Sequence, residues 1–140
     1  MNVDRVVGLD IGDKRIGVSI GDTEVKIASP LAPLANDETV FRQIDNLLIQ
    51  NDAKIVVIGL PRNAEGQETA QSVVVRNFAT ELSAKTDAKI VFQDESLTSV
   101  LAERRLRERK NFSESMLRDG TLDSEAAQLI LADYLEGSRI

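Results

Sequence analysis

The 140-residue chain contains no cysteine, so it has neither disulfides nor a thiolate metal site. It contains no histidine either, which removes the usual zinc sites, the Ser-His-Asp triad and imidazole general-base chemistry. Any metal bound here must be hard and held by oxygen, hence Mg²⁺ or Mn²⁺ rather than zinc. No apolar run approaches the roughly 20 residues that a membrane span needs. Residues 1–12 lack a basic start ahead of an apolar stretch, so no export signal is read there. These absences predict a cytoplasmic protein with no membrane partner.

What is present points to one domain, 1–140, with a real core, because hydrophobic residues make up 42% of the chain. The net charge of −6 argues against indiscriminate nucleic-acid binding, but the charge is uneven. "LAERRLRERK" (101–110) holds five basic and two acidic residues, net +3, which leaves −9 on the remainder. A basic stripe on an acidic body is compatible with a nucleic-acid groove beside a carboxylate cluster.

"VDRVVGLDI" (3–11) reads as a buried strand and "RIGVSIGD" (15–22) as its hairpin partner, joined by turn chemistry at 12–14. "EVKIASPLAPLA" (24–35) reads as a third extended run, which Pro30 and Pro33 push toward an edge. "DETVFRQIDNLLIQND" (37–52) has helical spacing, with Asp37 as N-cap. "KIVVIGLP" (54–61) is continuously apolar and predicts a fully buried strand. A helix over 67–86, a strand over 89–95 and a helix over 97–110 follow, the last with Leu97, Val100, Leu101 and Leu106 on its apolar side. "NFSESMLRDG" (111–120) is the least patterned stretch, and 123–137 is a final helix stopped by Gly137. The order β-β-β-α-β-α-β-α-α predicts an α/β fold: a mixed five-stranded sheet, three antiparallel strands then parallel ones, with helices on both faces.

Within this frame four acids fall at strand ends or helix starts. Asp10 sits among Val6, Val7, Leu9 and Ile11, where an unpaired carboxylate is costly to bury. Asp94 and Glu95 end the fifth strand, and Asp123 opens the last helix. With the first strand central, all could converge, and clustered carboxylates raise one another's pKa unless a cation sits among them. Two divalent ions would neutralise them and clamp a phosphodiester for in-line attack. Each acid also has a plain structural reading. Asp10 can stabilise the turn before Gly12, Asp94 or Glu95 can precede a helix capped by Ser96 or Thr98, and Asp123 can face a helix dipole. Arg104, Arg105, Arg107, Arg109 and Lys110 suit a solvated helix face as well as a phosphate groove, and Arg104 has Glu108 at ion-pair spacing. Arg15, directly after the first turn, starts the strand beside Asp10 and is within reach of a phosphate held there. The loop "GLPRNAEGQET" (59–69) opens a helix whose first amides could meet an anion; it lacks the lysine and glycine spacing of a P-loop and reads as an ordinary β–α connection.

"LDIGDKRIGVSI", "VVIGLPRNAEGQET", "DESLTSVLAE" and "LDSEAAQLIL", in that order, closely resemble the YqgF/RuvX family of Holliday-junction-resolvase-like nucleases. The resemblance covers nearly the whole chain. It implies an RNase H-type fold, Mg²⁺ or Mn²⁺, and a nuclease that processes the 5′ end of precursor 16S rRNA in ribosome biogenesis; resolution of branched DNA is the alternative. It implies a catalytic and metal-binding triad of Asp10, Glu95 and Asp123, with Asp94 auxiliary and Arg15 as the arginine of the "RIG" motif. Arg104 and Arg105 are then substrate-binding candidates, and the chain is expected to be a monomer or weak homodimer. Two departures stand out. Ser96 replaces the arginine of the usual "DERLT", and Thr121 stands near a common lysine; both weaken phosphate affinity while leaving the acids intact. Two further readings stay open: an ATP-binding module, because "LDIGDKRIGVSI" also resembles the first phosphate loop of the actin and sugar-kinase superfamily, and a non-catalytic RNA-binding assembly factor.

Overall fold

The computed structural model describes residues 3–95 and 98–137. β1 (Arg5–Ile11) and β2 (Arg15–Asp22) form the expected hairpin, closed where the Gly12 amide donates to the Arg15 carbonyl at 3.0 Å. β3 (Ser29–Ala35) is shorter than the predicted run. The Asp22 carboxylate accepts from the amides of Glu24 and Val25, so those residues turn instead of extending. The chain continues through α1 (Val40–Gln50), β4 (Ala53–Leu60), α2 (Ala70–Ser83), β5 (Lys89–Asp94), α3 (Thr98–Arg107), a short 3₁₀ turn (Glu114–Leu117) and α4 (Thr121–Gly137). The sheet order is β3-β2-β1-β4-β5, antiparallel across the first three strands of the chain and parallel from β1 to β4 to β5. β1 is therefore central, and the proline-containing β3 lies at an edge, where a missing N–H costs no ladder bond.

Strand alternation sets the two faces. Val7, Leu9 and Ile11 pack with Ile44 and Leu48 of α1 and with Val75, Phe78 and Leu82 of α2. Val6 points the other way, toward Ile130, Leu131 and Leu135 of α4. Asp10 shares parity with Val6 and faces α4.

Two local expectations are corrected. Asp37 does not cap α1 directly: its Oδ1 accepts from the amide and hydroxyl of Thr39, one turn ahead of the helix, and Thr39 is the N-cap. In α3 the inward face is Thr98, Ala102 and Leu106, whereas Val100 and Leu101 are exposed. The apolar side there follows an i, i+4, i+8 row of which Leu106 alone is large. Ser96 and Leu97, expected as cap and core residue, lie outside the described residues. Among the described residues no helix is long and apolar enough to cross a membrane.

Candidate active site

Asp123 reaches Asp10 because α4 lies almost directly on β2. Gly17 is the cross-strand partner of Asp10, and a Cβ there would stand 1.9 Å from the Asp123 carbonyl oxygen. Only glycine lets the first turn of α4 approach so closely. The contact is fixed by hydrogen bonds from sheet to helix. The Val18 amide donates to Ser124 Oγ at 3.3 Å, beside an irregularity in the β2–β3 ladder. Ser19 Oγ donates to the Ala127 carbonyl at 2.7 Å. Glu95 arrives from the other side, just past β5, its amide donating to the Leu60 carbonyl at 3.3 Å. Gly59 makes room for it: a Cβ there would lie 3.0 Å from the Glu95 carboxyl carbon.

The three acids do not experience one another equally. Glu95 is pushed up to about 8, first by burial, then by the Asp10 charge and by donating a hydrogen bond to Asp10. Asp10 is raised to about 6, chiefly by burial and by the nearby Asp123 charge, against the Glu95 hydrogen bond that lowers it. Both shifts favour a proton held between the two carboxyls. Asp123 is turned partly aside, accepting from Arg15 Nε at 3.3 Å. Asp94 is exposed at the end of β5 and adds its charge to the rise at Glu95.

A cavity of about 290 Å³ opens over the pair, lined by Asp10, Ile11, Pro61, Arg62, Gln71, Glu95 and Ser99. The donor chemistry fits a hard divalent cation: oxygen ligands only, and two carboxylates that need a proton between them when no cation is there. As placed, no three acids among the described residues are close enough together to hold one ion. Asp10 and Glu95 form the immediate donor pair, and Asp123 faces Asp10 while engaged with Arg15.

Residues 4–137 match the RuvX family, described as a Holliday junction resolvase. The chain belongs to this family. Similar RuvX relatives are named "Putative pre-16S rRNA nuclease": one from Chloroflexus aggregans is 36% identical over 99% of this chain and 98% of its own, and one from Sulfurihydrogenibium is 38% identical over 94% and 90%. Among solved structures, T. thermophilus RuvC in complex with a Holliday junction substrate superposes with a TM-score of 0.54 at 13% identity, covering 97% of this chain and 96% of that one. The fowlpox virus Holliday junction resolvase gives 0.55 at 12% identity, covering 97% and 99%. Those likenesses establish the RNase H-like fold.

The basic stripe of this RuvX chain is divided. Arg107 pairs with Glu103 and Glu114, and the pairing of Arg104 with Glu108 anticipated from spacing is not formed. Arg109 forms an ion pair with Glu125, which is buried in α4. Arg104 and Arg105 stay exposed on the last turn of α3 and do not line the cavity. The start of α2 is not an open anion site either, because Thr69 and Ser72 form a capping box there. Sequence reasoning passed over Arg62, Gln71 and Ser99 as cavity residues. Arg62 and Gln71 flank a buried strand and a helix start, and that placement was the one signal available.

Proposed function

We propose that this chain is a metal-dependent endonuclease that hydrolyses phosphodiester bonds in structured nucleic acid, with the 5′ end of precursor 16S rRNA as its substrate. The observation that supports this best is the hydrogen-bonded Asp10–Glu95 pair, set beside Asp123 and open to the 290 Å³ cavity. Carboxylates with pKa values raised in this way cluster at functional sites.

In this reading Asp10 and Glu95 would hold Mg²⁺ or Mn²⁺, with Asp123 beside Asp10 as the third acid and Asp94 as an auxiliary one. When bound, such a cation polarises the phosphate and lowers the pKa of a water molecule. The remaining work belongs to the chain. Asp10 and Glu95 release their shared proton and present two anionic oxygens. Arg15, held at Asp123, orients that carboxylate and places a positive charge at the margin of the site. Arg104 and Arg105, exposed and unpaired among the described residues, steer the polyanion from outside the cavity. The family is described as a Holliday junction resolvase, so a four-way DNA junction is the competing substrate.

The test is cleavage of a precursor-rRNA 5′ leader and of a four-way DNA junction by purified protein in Mn²⁺. Leader cleavage that Asp10→Asn abolishes, in a variant that melts like wild type, is the expected result. Full activity in Asp10→Asn would overturn the mechanism. Cleavage of the junction alone would transfer the assignment to branched DNA.

A further inference from the structure

Arg62 follows β4 in the loop 61–69 and lines the same cavity as Asp10 and Glu95. Its Nε is buried and has no hydrogen-bond partner. Its Nη1 donates to the Gly66 carbonyl at 3.0 Å. Among the described residues it forms no ion pair. Glu68, the acid that feels its charge, is itself forked onto Arg76. A buried guanidinium N–H left without an acceptor is costly and needs a reason.

Ordering of its own loop is not a sufficient reason, because the loop is held without Nε. Asn63 Oδ1 accepts from the amides of Glu65 and Gln67. Ser72 Oγ donates to the Pro61 carbonyl and accepts from the Thr69 amide, tying the loop to α2. One small cavity is therefore lined by two carboxylates, by a guanidinium without an ion-pair partner among the described residues, and by the polar side chains of Gln71 and Ser99. A phosphodiester strand matches this pairing: its anionic oxygens suit the guanidinium, and the acids beside it would hold a divalent cation.

We propose that Arg62 forms an anion subsite in this cavity, taking a backbone phosphate oxygen of the nucleic-acid strand and so fixing the strand's position over Asp10 and Glu95. The subsite rests on the nuclease reading for its ligand, and it is tested by binding alone. Gln71 and Ser99 complete its polar wall. Arg62 is a positioning residue that acts on ground-state binding.

The experiment measures affinity for a fluorescent structured RNA and for a four-way DNA junction, in EDTA, across a salt series, in the Asp10→Asn background that cannot cleave. Adding Arg62→Gln is expected to weaken binding about ten- to a hundredfold. The log–log salt slope should become shallower by about one. Both effects should appear on RNA and DNA alike, because a phosphate contact carries no sequence information. Arg62→Lys keeps the charge and should keep the slope. A slope unchanged in Arg62→Gln overturns the proposal, as does an affinity loss that tracks a lowered melting temperature and is equal in Arg62→Lys. An effect confined to RNA, or no binding at all in the Asp10→Asn background, also overturns it. The two readings fail separately. A chain that never cleaves but shows the slope change keeps the subsite and loses the hydrolysis, and a cleaving chain without the slope change does the reverse.

Discussion

The two faces of the sheet are built from different materials. Toward α1 and α2 the contacts are aliphatic and aromatic, with Leu9, Ile16, Ile44, Ile58, Phe78 and Leu82 interlocked. Toward α4 the buried apolar set is smaller. It is supplemented by a glycine contact at Gly17 and by hydrogen bonds from Val18 to Ser124, from Ser19 to Ala127 and from Gln128 to Ala28. Apolar packing is non-directional and tolerates small slides. Hydrogen bonds from helix to strand, and a backbone contact that only glycine allows, do not. The first face supplies most of the burial that stabilises the fold. The second fixes the position of Asp123 against Asp10, and under the proposed mechanism it is the face on which a small error in register would cost activity.

The strongest way to break this contrast is at Glu125, which is buried on α4 and paired with Arg109. Arg109→Met leaves a carboxylate buried without its cation and should lower stability by about 3 kcal/mol or more. Chemical denaturation would measure the loss, and adding Glu125→Leu should restore most of it. Next come matched overpacking and cavity variants. Ile44→Ala on the α1 face should cost about 2–4 kcal/mol yet keep the activity of the molecules that remain folded. Gly17→Ala should cost about 1–3 kcal/mol and lose activity far beyond that, since the Asp123 backbone must move to admit the methyl group. Equal specific activity in the two folded variants would show that the α4 face has no special positional role.

Much of this second face was legible in the sequence, and its limits are instructive. The apolar run Val6–Ile11 placed β1 and flagged Asp10 as a carboxylate where a hydrophobe was expected. The two prolines marked β3 as an edge. The acids Glu95 and Asp123 could be picked out because they punctuate a strand end and a helix start. Invisible in one dimension were the contacts that join elements: the Gly17–Asp123 approach, the Arg109–Glu125 pair inside a stripe that suited a solvated face or a phosphate groove, and the cavity position of Arg62. Pair interactions between residues about 16 or 106 positions apart leave no periodicity, as at Arg109–Glu125 and Val18–Ser124. The misread face of α3 has a related cause. Its inward row is Thr98, Ala102 and Leu106, and two of these three carry little hydrophobic signal.

A pH series sharpens the comparison with a smaller effect. Asp10 and Glu95 both have folded pKa values above the ordinary carboxylate range. The stabilising contribution of a raised acid is complete below its unfolded pKa and is lost as pH rises through the folded one. Between pH 5 and 9 the metal-free chain should therefore lose stability through this pair, a window above the titration of Asp37, Glu68 and Asp119, which are held low. Thermal melting in EDTA should show the decline, and Glu95→Gln should flatten it. Mn²⁺ should raise the wild-type melting temperature more at pH 8 than at pH 5, because the ion competes with the shared proton. A wild-type melting temperature that is flat from pH 5 to 9 and indifferent to Mn²⁺ would remove the pair as a cation site.

The smallest predicted effect is the most discriminating for the idea of a positional face. Ser19 Oγ is fully buried and donates to the Ala127 carbonyl. Ser19→Ala should cost only about 0.5–1.5 kcal/mol, because that carbonyl lies within α4 and keeps its helical bond. Ser124→Ala removes the acceptor of the Val18 amide, which is left buried without a partner and should cost about 1–3 kcal/mol at most. Ser124 also adjoins Asp123, so its loss loosens the helix where the carboxylate is presented, whereas the Ser19 contact lies one turn further along. If α4 is anchored mainly for position, Ser124→Ala should reduce kcat more than Ser19→Ala when both are assayed well below their melting temperatures. Equal kcat in the two variants would mean that the glycine contact at Gly17 alone sets the register, and that the hydrogen bonds contribute stability without placing the acid.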